Sequence, residues 1–253
     1  MDSMRKTALV AGIFYLITFI SIPTLALYGP VKTDPNFILS VGGDTAILVG
    51  GLLETIVALA GIGTAVALFS VLKRQHEGFA LGLITTRIFE GAVIMIGVSS
   101  ILSVVTLQQA GAAGAEGAAM VAVGQAQVAT FNWAFLLGQS LMPALNALLL
   151  GTLLYRSRLV PRILPIVGLI GAPLLIAGTI ATLFGLAEQY GAVSVTAVPI
   201  ALWELSLGIW LVFKGFNRSA PIMVAMAADA GGRDDSARAV PPVVPVATAG
   251  GVA

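Results

Sequence analysis

The sequence predicts an all-α, polytopic membrane protein: a bundle of six transmembrane helices followed by a disordered C-terminal tail. Three observations lead to this prediction. The 253 residues are 58% hydrophobic and only 10% charged, whereas soluble domains carry about 25% charged residues. Five charge-poor runs of about 20 residues and a shorter sixth match the thickness of a bilayer. Basic residues also collect in alternate connectors, as the loops on one side of a membrane do.

The six helices are expected in order along one domain, residues 1–217. The first follows Arg5 and Lys6 as a signal peptide would, but its apolar run of about 22 residues is longer than the usual 7–15, so we interpret it as an uncleaved span. Approximate bounds for the spans are 7–28, 46–72, 79–107, 130–155, 163–186 and 195–213.

Two segments fall outside the spans. The connector 108–129 is rich in Ala and Gly, which is consistent with either a short helix at the interface or a flexible loop. From residue 218 onward, Ala, Gly, Pro and charged residues alternate without aromatics. Such a composition cannot bury a core, so residues 218–253 are predicted to be a disordered cytoplasmic tail.

The charges predict an orientation. Eleven of the thirteen Lys and Arg residues fall on one side of a six-span bundle, whereas the other side has only Lys32 among acidic residues. Positive residues favour the cytoplasmic side, so we expect a protein of the cell (plasma) membrane with both termini in the cytoplasm. The eleven are residues 5, 6, 73, 74, 156, 158, 162, 214, 218, 233 and 238.

Ionisable residues within the spans are the first candidates for function. A charge at the bilayer centre costs at least ~2.5–3.5 kcal/mol, so such residues face the interior of a bundle and find partners. At 1.5 Å per residue, four polar residues lie about 12–16 Å from the cytoplasmic ends of their helices. These are Arg87, Glu90, Asn146 and Glu204.

The spacing of three places Arg87 and Glu90 on one face of their helix. Arg87 is therefore expected to pair with Glu90 and, across the bundle, with Glu204. Two carboxyl groups then share one guanidinium. Either one acid is protonated, or a bound cation or cationic ligand supplies the missing charge.

A second polar level is predicted nearer the outer face. Glu54 lies in a stripe of small residues that lets a neighbouring helix approach closely, and Gln139 is at a similar depth and is its expected hydrogen-bond partner. The two levels together suggest a polar track. The alternative is that the Arg/Glu cluster is a structural clasp between helices.

The composition excludes several kinds of chemistry. Cysteine is absent and His76 is the only histidine, which excludes disulfides, thiolate nucleophiles, cysteine-ligated metals and a helical His-Glu-x-x-His zinc site. The net charge of +1 offers no reason to expect a nucleic-acid partner. We assign no catalytic residue, metal or cofactor. The sequence does not decide whether the chain is an enzyme, but it favours a protein that is not one.

Long segments resemble a known family. They are "MRKTALVAGIFYLITF", "LLETIVALAGIGTAVALFSVLKRQ", "TTRIFEGAVIMIGV", "LLGQSLMPALNALLLGTLLYRSRLVPR" and "PIALWELSLGIWLVFKGF". Together, over residues 4–217, they resemble the bacterial multi-pass membrane proteins grouped as domain-of-unknown-function family 4386. The resemblance implies a six-helix bacterial membrane protein without an assigned activity, and it assigns a role to no residue.

Two functional hypotheses therefore stand. In the first, Arg87, Glu90, Asn146 and Glu204 form an inward-facing polar cavity that binds or moves a small molecule, lipid or proton. In the second, the chain is a non-catalytic membrane subunit or regulator that binds a partner through small-residue faces around Gly61 and Ala8-x-x-x-Gly12. The first and fourth spans share a short sequence pattern, Pro23-x-Leu in one and Pro143-x-Leu in the other. Either the match is due to chance, or the first three and the last three spans are inverted repeats like those of transporters.

Overall fold

The first span is a helix interrupted two-thirds of the way along. The computed structural model describes residues 3–111 and 114–226, and in it Phe19 and Ile20 separate α1 (Ser3–Thr18) from α2 (Ser21–Leu27). Pro23 has no N–H to donate to the carbonyl of Phe19. That carbonyl accepts instead from the Ile22 N–H at 3.1 Å, a tighter turn. The expectation of one continuous helix over 7–28 was therefore wrong at this point.

Within these described residues, six helical stretches are long and apolar enough to cross a membrane, which confirms the six predicted spans. A short helix, α3, and a 3₁₀ turn connect the first two spans, and a second 3₁₀ turn leads into the last. After α1 and α2, the elements are α3 (Gly29–Thr33), α4 (Asp44–Leu72), α5 (Glu77–Ala110), α6 (Gly114–Ala134), α7 (Met142–Ser157), α8 (Ile163–Leu183) and α9 (Val198–Phe213), with 3₁₀ turns at Phe37–Leu39 and Ala192–Ala197.

The fourth span differs most from its predicted bounds. It begins well before residue 130, because α6 occupies most of the connector 108–129 as a helix rather than a loop. A π-helical segment, Phe135–Leu141, joins α6 to α7. Pro143 cannot donate to the Gln139 carbonyl, so regular α-helical bonding is interrupted here. The stretch of 42 residues is about 63 Å long, more than the ~45 Å of a whole bilayer.

The fifth span ends earlier than the expected residue 186. The α-helix stops at Leu183 because Gly185 takes a left-handed conformation, φ +69°. Its N–H donates to the Thr182 carbonyl, and the Leu186 N–H donates to the Ala181 carbonyl at 2.8 Å. This pair of bonds is a glycine-based helix stop.

The six spans form a ring in chain order, each packed on its sequence neighbours, with α9 closing the ring against α1. Small residues make the closing contact. A Cβ added at Gly12 would lie 2.8 Å from the backbone nitrogen of Val212 and 2.9 Å from the carbonyl oxygen of Gly208. The backbones of α1 and α9 are thus as close as glycine allows.

The ring has two chemically different ends. At one, the Arg5 guanidinium donates to the Leu211 carbonyl at 2.8 Å, and the Asn217 N–H donates to the Leu159 carbonyl. We call this the basic end, because Arg5, Arg158, Arg162 and Lys214 lie there. At the opposite end, the Lys32 ammonium lies 3.7 Å from the centre of the Tyr190 ring and 5.4 Å from that of Phe131.

Only the start of the predicted tail is described. Residues 218–220 form a turn in which Ala220 is fully buried, and residues 221–226 are helical. Ile222 and Met223 pack against the main core. The rest of the predicted disordered tail, 227–253, lies outside the described residues.

Candidate functional site

Arg87 lies at the centre of the ring, on α5, and is only 3% exposed. Its Nη1 donates to Glu90 Oε2 at 3.0 Å, one helical turn away on the same helix. Its Nη2 donates to Glu204 Oε1 on α9 at 2.8 Å. Both predicted ion pairs are present, and the second connects the third span to the sixth across the ring.

Two further side chains extend this cluster to other helices. The Asn146 amide on α7 donates to Glu90 Oε2 at 2.7 Å, and its oxygen accepts from the Thr86 hydroxyl at 2.5 Å. On α1, the fully buried Tyr15 hydroxyl accepts from Arg87 Nη2 at 3.4 Å. Four of the six spans therefore contribute a polar group at one level.

The second predicted level is also assembled. Glu54 on α4 is 2% exposed and accepts from the Gln139 amide at 2.6 Å and from the Thr24 hydroxyl. Thr24 lies on α2, just after the interruption of the first span, and Gln139 lies in the π-helical segment. Both donors thus come from places where helix geometry changes. No ion pair involves Glu54 among the described residues.

A cavity of 180 Å³ connects the two levels. All six spans line it. Gln139 contributes from one level and Arg87, Glu90 and Glu204 from the other, while the interrupted part of span one adds Thr18, Phe19, Ser21 and Ile22.

The cavity reaches the outside of the ring between spans one and six. Ile22 is both a lining residue and 60% exposed, and Ala201 on α9 is likewise lining and exposed. Gly12 and Gly208 hold α1 and α9 together nearer the basic end. The exposed lining residues mark an opening of the cavity between these two helices.

The charges in this cavity do not balance. Two carboxyl groups, those of Glu90 and Glu204, face one guanidinium, and the Arg87 Nε has no hydrogen-bond partner among the described residues. Such a site can hold a proton or a small cation near the carboxyl groups. Within 3–111 and 114–226, no three His, Asp or Glu side chains converge as metal ligands would.

Sequence reasoning missed three participants, Tyr15, Thr86 and Thr24. Tyr15 lies about 12 Å from residue 7, the predicted start of its span, at 1.5 Å per residue. That is the predicted depth of the cluster, so counting neutral polar residues as well as charged ones would have found it. The other two had weaker indications in the sequence: Thr86 is next to Arg87, and Thr24 is next to Pro23.

His76, the only histidine, has a structural role. Its Nδ1 accepts from the Phe79 N–H at 3.2 Å and so caps the amino terminus of α5. It lies in the connector between α4 and α5, outside the polar cavity. The cap satisfies one of the free N–H groups at the start of a helix of 34 residues.

Comparison with known proteins gives one result. The model of the family described as "Domain of unknown function (DUF4386)" matches residues 10–215. No curated protein and no solved structure matches the chain. The matched range contains both polar levels and all six spans, from the second turn of α1 to the end of α9. The chain therefore belongs to the family of the domain of unknown function DUF4386, as a membrane protein with six spans in the part of the chain that the structure describes.

Proposed function

We propose that this chain is a protein of the bacterial cell membrane that binds or moves a small molecule, lipid or proton through its central cavity, with both termini in the cytoplasm. The observation that carries the proposal is the cavity lined by Arg87, Glu90 and Glu204. In this proposal Asn146 orients Glu90, while Glu54 and Gln139, at the second polar level, form a second binding site for the small molecule, lipid or proton.

The charge balance supports a proton or a cation as the moving species. An uncompensated charge within a membrane is costly, and the cluster has one more carboxyl group than it has cations. A proton or a bound cation removes that excess. Arg87 then keeps the two carboxyl groups in place, or positions an anionic part of the ligand.

The size of the cavity supports a small ligand. Pockets for drug-sized molecules measure about 300–1,000 Å³, and this one measures 180 Å³. A volume of about 10–15 Å³ is enough for one water, so the cavity has room for a chain of waters, a small cation, or one end of a lipid that enters between α1 and α9.

The interrupted helices support movement rather than a fixed core. Interrupted helices within a membrane are tolerated where they line a cavity, and π-helical segments are frequent at functional sites. Here both interruptions line the same cavity, one in span one and one in span four. These are corresponding spans of two three-helix halves, the arrangement of inverted-repeat transporters.

The test uses the full chain in liposomes that contain a pH-sensitive dye. A potassium diffusion potential is applied, and proton uptake is recorded; binding of tetramethylammonium is measured in parallel as a shift in Tm. We expect the wild type to show at least one of the two signals. Glu90→Gln and Glu204→Gln are expected to lose it, because each removes one carboxyl group from the cavity.

Glu188→Gln is the matched control, since Glu188 lies in the connector between spans five and six and outside the cavity. It should behave as the wild type does. If folded Glu90→Gln and Glu204→Gln proteins match the wild type in both assays, the cavity does not carry a proton or cation and the structural clasp is the better explanation.

The alternative of a partner-binding subunit has less support from the structure. Ala8 and Gly12 are buried, and Gly12 is taken up by the contact between α1 and α9. Gly61 lines the cavity, where an added Cβ would lie 3.8 Å from Arg87 Nη1. The three small residues on which that hypothesis rested therefore face the chain's own interior.

A further inference from the structure

The basic end of the ring contains a second cavity, of 400 Å³, that is separate from the polar cavity. Among the residues that the structure describes, three with cationic side chains line it, and no acidic residue does. Arg158 follows α7, Arg162 precedes α8 and Lys214 follows α9. Three helix ends thus bring positive charge to one place without a carboxylate among the lining side chains.

The backbone of Arg158 is unusual. It has φ 56° and ψ 27°, the left-handed region, whereas every other described residue with positive φ is a glycine. Asn217 holds this loop, because its N–H donates to the Leu159 carbonyl at 2.8 Å and its amide donates to the Arg158 carbonyl at 3.4 Å. Glycine would relieve the backbone strain at this position, so the presence of an arginine points to a use for its side chain.

Helix dipoles do not explain the set of cations. Cations are favourable near helix carboxyl termini, which accounts for Arg158 and Lys214. Arg162, however, occupies the cap position before the amino terminus of α8, where the dipole disfavours a cation. Its guanidinium lies 4.8 Å from the centre of the Tyr155 ring, which holds it beside the cavity. Mutual repulsion here would be relieved by an anion.

We propose that this cavity binds the phosphate group of an anionic phospholipid in the leaflet at the basic end. The flanking residues favour a lipid over a soluble phosphate. Ile163, next to Arg162, is 66% exposed, and Phe213, next to Lys214, is 74% exposed, so acyl chains have apolar surface to cover. Trp210 lines the cavity, and tryptophan is enriched at the level of headgroups. Basic pockets between spans are known sites for anionic headgroups.

The experiment measures the Tm of the purified full chain in a mild detergent with added phosphatidylglycerol, phosphatidylcholine or inorganic phosphate. Phosphatidylglycerol should raise Tm, and phosphatidylcholine at equal concentration should not. Arg158→Gly and Arg162→Gln should each bind phosphatidylglycerol roughly fivefold more weakly, the effect of one basic side chain near an anionic surface. Arg158→Gly should not lower Tm without lipid, because glycine adopts the left-handed conformation freely.

Arg156→Gln is the matched control. Arg156 lies in the last turn of α7 but does not line the cavity, so this variant should bind phosphatidylglycerol as the wild type does. An equal loss in Arg156→Gln would overturn the proposal in favour of general surface charge. Equal effects of the two lipids would also overturn it, and a full response to inorganic phosphate alone would replace the lipid by a soluble phosphate.

Discussion

The ion pair between Arg87 and Glu204 can be tested by a double-mutant cycle, in which each residue is replaced by methionine singly and together. Arg87 is 3% exposed and contacts two carboxyl groups, at 3.0 and 2.8 Å. Its removal leaves the buried Glu90 and the partly buried Glu204 without a counter-charge, so Arg87→Met should lower the free energy of unfolding by about 3–5 kcal/mol.

Glu204→Met should cost less. It removes one charge-assisted hydrogen bond, about 1.5–3 kcal/mol, and Arg87 keeps its bond to Glu90. The double variant has one unpaired acid instead of two. Its loss should therefore be smaller than the sum of the two single losses, by about 1.5–3 kcal/mol, because the bond between the two residues is counted in both single variants.

The assay is equilibrium unfolding of the detergent-solubilised chain, followed by tryptophan fluorescence. A second cycle, Arg87→Met with Glu54→Met, is the control, because Glu54 bonds to Thr24 and Gln139 and shares no partner with Arg87. That cycle should be additive within about 0.5 kcal/mol. Additivity in the Glu204 cycle as well would refute the ion pair across the ring, and with it the geometry of the cavity.

Three other changes have clear expected outcomes. Gly12→Ala should lower the free energy of unfolding by about 1–3 kcal/mol, because its Cβ would lie 2.8 Å from a backbone nitrogen of α9. Gly29→Ala is the control, because its Cβ would have nothing within 4 Å, and it should leave the free energy of unfolding unchanged. Thermal unfolding of the two variants measures both effects. Gln139→Leu should cost about 1–3 kcal/mol, since Glu54 loses a buried donor, and Tm would be unchanged if that bond were absent. Burial lowers the pKa of Lys32 from 10.5 to about 8, so above pH 8 the unfolded chain binds a proton that the folded chain does not. The stability of the wild type should then rise relative to that of Lys32→Met between about pH 8 and 10.5. If the difference in Tm between the two proteins does not change with pH, the neighbouring aromatic rings offset the effect of burial on the pKa of Lys32.

The polar cluster could be predicted because helix geometry is nearly constant. A rise of 1.5 Å per residue places Arg87 and Glu204 at one depth whatever the loops do, and a spacing of three places Glu90 beside Arg87. The same count places Gln139 at the depth of Glu54, although the helix of Gln139 is interrupted there. It fails for Thr24, which lies just after the interruption of its helix, because the contact of Thr24 depends on how the chain compensates for a missing N–H.

The extent of the fourth span could not be read from composition. The segment 108–129 has no hydrophobic periodicity that separates a loop from a helix. Its helical form depends on tertiary contacts: the Ser100 hydroxyl on α5 donates to the Gln127 carbonyl at 2.6 Å, and Gly124 leaves room for Ile38. Tertiary packing decides the structure of such a segment, and local sequence does not.

The arrangement of the spans in chain order has a consequence for biogenesis. Domains form from the amino terminus during synthesis, and here each new span meets the one made just before it. While the first five spans are being inserted, Arg87 and Glu90 neutralise each other within a single helix. Glu204 arrives only with α9, in the same step in which Gly208 reaches Gly12. The surplus acid is therefore added last, on the helix that closes the ring against α1.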